Sequence, residues 1–257
     1  MTPAGDVDYE RSGIDYSTWR QPDPTIAALV HASLGTARSV INVGAGAGSY
    51  EPVDIDVTAV EPSASMRAQR PPDRQDAIDA AAEALPFPDH AFDAAMALVT
   101  VHQWRDKDRG LRELRRVSRG PVVILTFDGD ALDRFWLAHY APELIAAERR
   151  RYPSIDHVCD VLGGTATVTV VPIPADCPDG FTEAFYARPE SFLDPAVRGS
   201  QSAWGFVSPQ ARQQSVDRLS RDLESGEWDR RYGYLRSQPN YEGSLRLVVS
   251  APSPELD

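Results

Sequence analysis

The sequence contains few of the side chains on which metal, disulfide or covalent amine chemistry depends. Its 257 residues include only two cysteines, Cys159 and Cys177, and these form no CxxC pair. The five histidines show no spacing typical of metal ligands. Lys107 is the only lysine, so Schiff-base chemistry would depend on that one residue. The sequence therefore predicts reduced cysteines and no metal site.

Long apolar runs and an excess of positive charge are also missing. The longest apolar runs, at 94–101 and 122–127, are far shorter than the ~18 residues that a membrane span needs. The first ten residues are acidic and polar, unlike a secretory signal. The net charge is −12, which would repel a phosphate backbone. We therefore expect a cytoplasmic protein that acts on a small molecule and binds neither nucleic acid nor membrane, and its oligomeric state stays open.

Strand and helix patterns alternate along the first half of the chain, which is typical of a parallel α/β sheet. Apolar residues make up 42% of the chain, enough for one large core. Helical patterns dominate after residue 128, apart from two late strands. We predict a Rossmann-like, doubly wound, seven-stranded and mostly parallel sheet with helical lid insertions. The predicted strands are 39–44, 56–60, 75–80, 92–101, 121–127, 165–173 and 244–250.

We expect one domain over residues 1–257. Its ligand-binding core would occupy about 36–128 together with the C-terminal strands. The lid elements would occupy about 130–162 and 178–236.

A glycine loop, GAGAG, follows the first predicted strand, in a pattern that we interpret as strand, loop and helix. Glycine allows tight turns and close approach of the backbone to a ligand. Glu61 ends the second predicted strand, 13 residues after Gly48, where its carboxylate could accept hydrogen bonds from a ribose. The dinucleotide pattern G-x-G-x-x-G fails here, because Ser49 and Glu51 occupy the two possible sixth positions. A nucleoside ligand without phosphates, such as S-adenosylmethionine (SAM), suits the loop better.

Four segments within residues 39–127 extend this pattern: VINVGAGAGSYEP, VTAVEPSASM, AEALPFPDHAFDAAMALVTVHQW and LRELRRVSRGPVVILTF. In this order and spacing they resemble the class I SAM-dependent methyltransferases, in the ubiquinone-biosynthesis-type, or type 11, branch. The resemblance implies SAM as cofactor and S-adenosylhomocysteine (SAH) as product. It implies that Glu61 holds the ribose and that Leu98 lies near the methionine part. The residues implied to line the cofactor and its adenine are Gly44, Gly46, Gly48, Ala82 and Glu83.

Two positions depart from the family pattern. Asn42 stands where many relatives carry an acidic residue, so it could hydrogen-bond the methionine ammonium group but form no ion pair with it. Ala81 replaces an Asp that would accept from the adenine amino group. In similar enzymes an N-terminal segment covers the cofactor. Tyr16 and Arg20 are therefore candidate cofactor contacts, although Arg20 could equally be a surface residue.

His102 follows the fourth predicted strand and is either a general base or a packing residue. Trp104 is either a pocket wall or core. Trp136 and Tyr140 share a helix face and, with Tyr186, are candidates for an aromatic substrate pocket. The sequence thus predicts methyl transfer to a small molecule. It leaves open a non-methylating step on bound SAM, such as a cyclisation, and a nicotinamide-dependent oxidoreductase.

Overall fold

The computed structural model describes residues 20–252, and these form a six-stranded sheet with the order β2-β1-β3-β4-β8-β5. The first four strands in this order are parallel, whereas β8 runs antiparallel to both of its neighbours. The strands are β1 Ser39–Val43, β2 Asp56–Val60, β3 Ala94–Leu98, β4 Val122–Phe127, β5 Thr165–Val170 and β8 Leu245–Ala251. Two short strands, β6 Ile173–Pro174 and β7 Asn240–Tyr241, form a separate ribbon that the sequence did not predict.

The α-helices begin with α1, whose first turn illustrates the local sequence rules. Asp23 caps this helix by accepting from the backbone N–H groups of Thr25 and Ile26, and Pro24 occupies its first position. The α-helices are α1 Pro24–Ser33, α2 Ala64–Arg67, α3 Lys107–Val117, α4 Leu137–Tyr140, α5 Pro142–Arg151, α6 Ile155–Leu162, α7 Pro195–Gly199, α8 Pro209–Glu224 and α9 Glu227–Tyr232. Short 3-10 turns separate them after β3, after β4 and within residues 182–237.

Successive residues of the central strands face opposite sides of the sheet, and each side is covered. Val40 of β1 packs with Ile26 and Val30 of α1 on one side. Ile41 packs with Leu111 and other residues of α3 on the opposite side. A strand buried on both faces needs apolar residues at nearly every position, which explains why β4 reads VVILTF. The doubly wound α/β fold is thus confirmed.

The predicted count of seven strands is not confirmed, because residues 75–80 form only one bridge, between Val60 and Ile78. Around it, the Ile78 N–H donates to Ala59 (2.8 Å) and the Glu61 N–H donates to Ile78 (3.0 Å). Ile78 is 39% exposed, and the polar residues beside it have little apolar surface to bury. This segment at the sheet edge therefore pairs at a single residue.

No helix follows the glycine loop, contrary to the predicted order of strand, loop and helix. Residues 44–55 connect β1 to β2 through turns and irregular backbone. Gly48 and Pro52 interrupt this stretch, and both residues disfavour a helix interior. The loop is instead held by side-chain contacts.

The lid has its own hydrophobic core, separate from the two cores that flank the sheet. Trp136, Tyr140, Tyr186 and Trp228 are fully or almost fully buried in it. The last helix of the first predicted lid segment, α6, packs instead on the sheet through Val158 and Leu162. The single-domain organisation and its boundaries remain a prediction.

Candidate functional site

The glycine loop turns sharply at the carboxyl end of β1. Gly44, Gly46 and Gly48 all have positive φ, at 70°, 53° and 89°. The N–H groups of Gly44 and Ala45 both donate to the carbonyl of Val60, which ties the loop to β2. The loop thus lies where the carboxyl ends of two parallel strands meet, the usual ligand crevice of such sheets.

Replacing Gly44 by alanine should destabilise the fold much more than the same change at Gly35. A Cβ on Gly44 would overlap the side chain of Thr100, approaching its Cγ2 to 2.8 Å and its Cβ to 2.9 Å. Gly35 has a similar φ of 64° but open space around the added atom. We expect Gly35→Ala to cost about 1 kcal/mol and Gly44→Ala about 3 kcal/mol in urea unfolding. Equal losses of unfolding free energy in the two variants would show that the Thr100 side chain moves aside without an energetic penalty.

Glu61 is buried directly below this loop. Its carboxylate accepts from the backbone N–H groups of Gly46 (2.9 Å) and Ser63 (2.8 Å). Burial raises the pKa of Glu61, against the lowering effect of these two N–H groups and of two nearby arginines. Each carboxylate oxygen has a second lone pair, so the side chain retains capacity for two hydroxyl donors.

A buried network of Asn42, Glu51 and Arg70 supports the loop from the opposite side. Asn42 Nδ2 donates to Glu51 Oε1 (2.9 Å), and Arg70 donates to both Glu51 oxygens (3.1 and 2.8 Å). A carboxylate paired with arginine only accepts, so the amide nitrogen of Asn42 must face Glu51. The other end of the amide, Oδ1, is buried and finds no partner among residues 20–252.

One cavity of about 600 Å³ gathers most of the predicted cofactor residues. Its walls come from the glycine loop, the ends of β2 and β3, and the segment before α1. The predicted residues that line it are Arg20, Asn42, Gly44, Gly46, Glu61 and Leu98. These residue types could hold a nucleoside with a charged amino-acid end, because they offer acceptors for hydroxyl and ammonium groups and one guanidinium group.

The remaining predicted cofactor residues lie elsewhere. Gly48 packs against the Glu51–Arg70 pair behind the loop. Ala82 is buried in the sheet core, whereas Glu83 borders a neighbouring surface cavity together with Ala81. Glu83 also accepts from the backbone N–H of Asp106, before α3. Tyr16 lies outside the described residues.

Arg20 joins three segments at the mouth of the cavity. It forms an ion pair with Asp179, whose other carboxylate oxygen accepts from the hydroxyl of Tyr50 (2.8 Å). Burial and the negative charge of Asp179 raise the pKa of Tyr50, so it stays a donor. Arg20 therefore borders the cavity while pairing with a carboxylate of the protein itself.

A second cavity, of about 690 Å³, adjoins the first and contains His102. Arg20, Val99 and Gln103 line both cavities. Val99 has a φ of 53°, which is strained for a β-branched residue and is typical of functional positions. The His102 ring packs against the Tyr152 ring in a tilted arrangement, with ring centroids 4.6 Å apart. Burial, reinforced by Arg151 and two further cations, lowers the pKa of His102 well below its usual value, so the imidazole is neutral near pH 7.

Sequence reasoning missed two buried carboxylates, Glu148 and Glu183, that line this second cavity. Glu183 accepts from the backbone N–H and the hydroxyl of Ser244 (2.9 and 2.7 Å). Burial raises its pKa to about 7. A single acidic residue within the aromatic stretch FTEAFY was the available signal in the sequence.

The raised pKa of Glu183 should appear in the pH dependence of stability. The folded protein retains this proton up to about pH 7, whereas the unfolded chain releases it near pH 4.5, so stability falls as pH rises through that window. We expect wild type to lose roughly 3 kcal/mol of unfolding free energy between pH 4.5 and 7 relative to Glu183→Gln. If the unfolding free energies of wild type and Glu183→Gln change in parallel with pH, the pKa of Glu183 is not raised.

The four aromatic residues predicted to form the substrate pocket do not line the second cavity. Trp104 packs against Gly110 of α3, and Trp136 donates to the carbonyl of Tyr186 (2.9 Å) within the lid core. Tyr140 donates to Asp222, and the Tyr186 ring stacks on Tyr241. Large aromatic surfaces gain most from complete burial, which explains their position in the core. Phe127, Tyr152 and Phe181 line the cavity instead.

The described residues also bear on metal binding and on membrane crossing. The described part of the chain contains no cluster of three or more His, Cys, Asp or Glu side chains arranged to hold a metal ion. Within residues 20–252, every helix is too short or too polar to cross a bilayer.

Part of the chain is similar to known methyltransferases. Residues 41–124 match the family model described as a methyltransferase domain, Methyltransf_11. The chain is 32% identical over 134 residues to malonyl-[acyl-carrier protein] O-methyltransferase of Pseudescherichia vulneris, which covers 48% of this chain and 53% of that protein. It is 44% identical over 52 residues to a ubiquinone/menaquinone biosynthesis C-methyltransferase of Hahella chejuensis, covering 20% of this chain and 21% of the relative. The chain thus spans about half or less of these curated relatives.

A solved structure extends the likeness to nearly the whole chain. It is described as a putative methyltransferase from an antibiotic biosynthesis pathway of Anabaena variabilis. It is 27% identical, with a TM-score of 0.83, and the match covers 90% of this chain and 98% of that one. The domain match, the relatives and the fold together identify residues 41–124 as a methyltransferase domain of type 11, within a fold that this solved structure shares over nearly the whole chain.

Proposed function

We propose that this protein transfers the methyl group of SAM to a small-molecule acceptor, releasing SAH. The observation that carries the proposal is the pair of adjoining cavities, which share Arg20, Val99 and Gln103 as a common wall. One cavity has the residues expected for the cofactor, and the other has room for an acceptor. Group transfer between two ligands requires such adjacent sites.

The residues of the first cavity fit the cofactor in chemical type. Glu61 would accept from the ribose hydroxyls, and the unpartnered Oδ1 of Asn42 would accept from the ammonium group of the methionine end. Bound SAM would supply a methyl group attached to a sulfonium sulfur, from which the neutral thioether SAH is a good leaving group. The chain itself contributes binding, orientation and exclusion of water.

In the second cavity, His102 would take the proton of an acceptor that must lose one. Its imidazole is neutral at neutral pH and therefore has a free lone pair. Phe127, Leu132 and Phe181 would exclude water around the acceptor. An acceptor that is already deprotonated would need only this positioning.

The proposal is tested with SAM labelled with carbon-13 in its methyl group and a panel of phenol, amine and carboxylic acid acceptors. Methyl transfer predicts formation of SAH together with a labelled product. A non-methylating activity such as cyclisation would leave SAM unconsumed. If SAM binds but is not consumed with any of the acceptor classes, methyl transfer is contradicted.

The role of Asn42 yields a separate prediction. Asn42→Leu removes the acceptor oxygen but leaves the Glu51–Arg70 pair intact. We expect the affinity for SAH to fall about tenfold, because a hydrogen bond to a charged group is lost. The matched ligand 5′-methylthioadenosine has the nucleoside part but no amino-acid end, so its affinity should stay unchanged. Equal losses for both ligands would mean that Asn42 acts only on the loop.

A further inference from the structure

Gln201 forms part of the wall of the second cavity, where no sequence motif indicated a binding residue. Its side chain is 95% buried. The amide oxygen accepts from the indole Nε1 of Trp204 and from the hydroxyl of Thr182, both at 3.2 Å. Both contacts therefore engage the same end of the amide.

These contacts determine which way the amide points. An indole N–H is only a donor, so the atom that faces Trp204 must be the oxygen of Gln201. The nitrogen, Nε2, then occupies the other end of the amide. It is buried and has no hydrogen-bond partner in the described part of the chain. An amide nitrogen donates and does not accept, so it calls for an acceptor atom on a ligand.

We propose that Gln201 Nε2 binds a carbonyl-type oxygen of an uncharged methyl acceptor. This inference rests on the proposed function, because it assigns the second cavity to the acceptor. It names the substrate class as small molecules that carry a ketone, ester or amide oxygen in addition to the group that is methylated.

The charges around the cavity favour an uncharged acceptor over a carboxylate. Glu148 and Glu183 both line the cavity, and above about pH 7, where Glu183 has lost its proton, its negative charge would repel an anion. Arg20 also borders the cavity but is paired with Asp179. A carbonyl oxygen therefore satisfies Gln201 without bringing a negative charge beside these two acidic side chains.

The test compares two probes on protein saturated with SAH. The first is 4-hydroxyacetophenone, and the second is 4-ethylphenol, which has the same ring and hydroxyl but no carbonyl. Calorimetry should show at least about fivefold tighter binding of the ketone to wild type, the value of one hydrogen bond. The anion 4-hydroxybenzoate should bind more weakly than the ketone.

Variants of Gln201 test whether this residue causes the preference for 4-hydroxyacetophenone over 4-ethylphenol. Gln201→Glu retains an acceptor for Trp204 and Thr182 but replaces Nε2 by oxygen, and Gln201→Met removes the amide altogether. Both should lose the preference for the ketone. Gln214→Glu is the control, because it makes the same change of side chain at an exposed position of α8 outside both cavities, and its preference should persist.

The possible outcomes distinguish a wrong role for Gln201 from a failure of the proposed function itself. If SAH binds but the ketone binds no better than 4-ethylphenol, or neither probe binds, the role of Gln201 is wrong while the cofactor assignment stands. If 4-hydroxybenzoate binds best, the acceptor is an anion and the proposal is overturned. If SAH itself does not bind, the proposed function fails, and this inference fails with it.

Discussion

His102→Ala is expected to lower kcat by ~10²–10⁴-fold once an acceptor that must lose a proton is in hand, because this is the usual contribution of a general base. The affinity for SAH should barely change, since His102 lines the second cavity and not the first. Initial rates and calorimetric titrations of the variant measure the two effects separately.

A second variant distinguishes the base from a packing residue. His102→Phe retains a ring to pack against Tyr152 but has no lone pair for a proton. We expect it to be as slow as the alanine variant. Protonation of His102 should cause no loss of the wild-type rate from pH 8 to pH 6, because the lowered pKa keeps the imidazole neutral throughout that range. A fully active phenylalanine variant would assign His102 to packing.

Glu61→Ala should weaken SAH binding by at least tenfold. If the carboxylate holds the ribose, two charge-assisted hydrogen bonds are lost, each worth ~1.5–3 kcal/mol. The variant also removes an acceptor from the N–H groups of Gly46 and Ser63, which adds a loss of loop order. Calorimetry measures the affinity, and thermal unfolding confirms that the variant is folded.

The conservative change Glu61→Gln serves as the matched control. It retains one acceptor oxygen and the length of the side chain, so its loss of affinity should be smaller than that of the alanine variant. Unchanged affinity in folded Glu61→Ala would mean that the ribose lies elsewhere.

Elements with strong local signals were predictable from the sequence. The apolar run of β4 was predicted to within one residue, and the bounds of β2 agree with the prediction. The glycine loop and Glu61 were both predicted to contact the cofactor, and they meet because the carboxyl ends of neighbouring parallel strands lie at one edge of the sheet. These features depend on residues that are close in sequence or on a rule of the fold.

The second cavity was not predictable in the same way. Its wall combines His102 with residues from α5 and from 181–183 and 199–202, and no periodicity connects them. Aromatic residues were expected to mark the substrate pocket, yet Trp136 and Tyr186 stabilise the lid core. Composition identified the aromatic surface, whereas only tertiary packing decided which rings face the cavity.

Calorimetric titration of the whole chain with SAH tests the central claim most directly. Cofactor binding in the first cavity predicts measurable heat with one site per chain. It also predicts a higher melting temperature, since a ligand at a hundredfold excess over Kd stabilises the folded state by ~2.7 kcal/mol. NADH should give neither effect. Absence of both heat and thermal shift with SAH and SAM, or binding of NADH instead, would contradict the account.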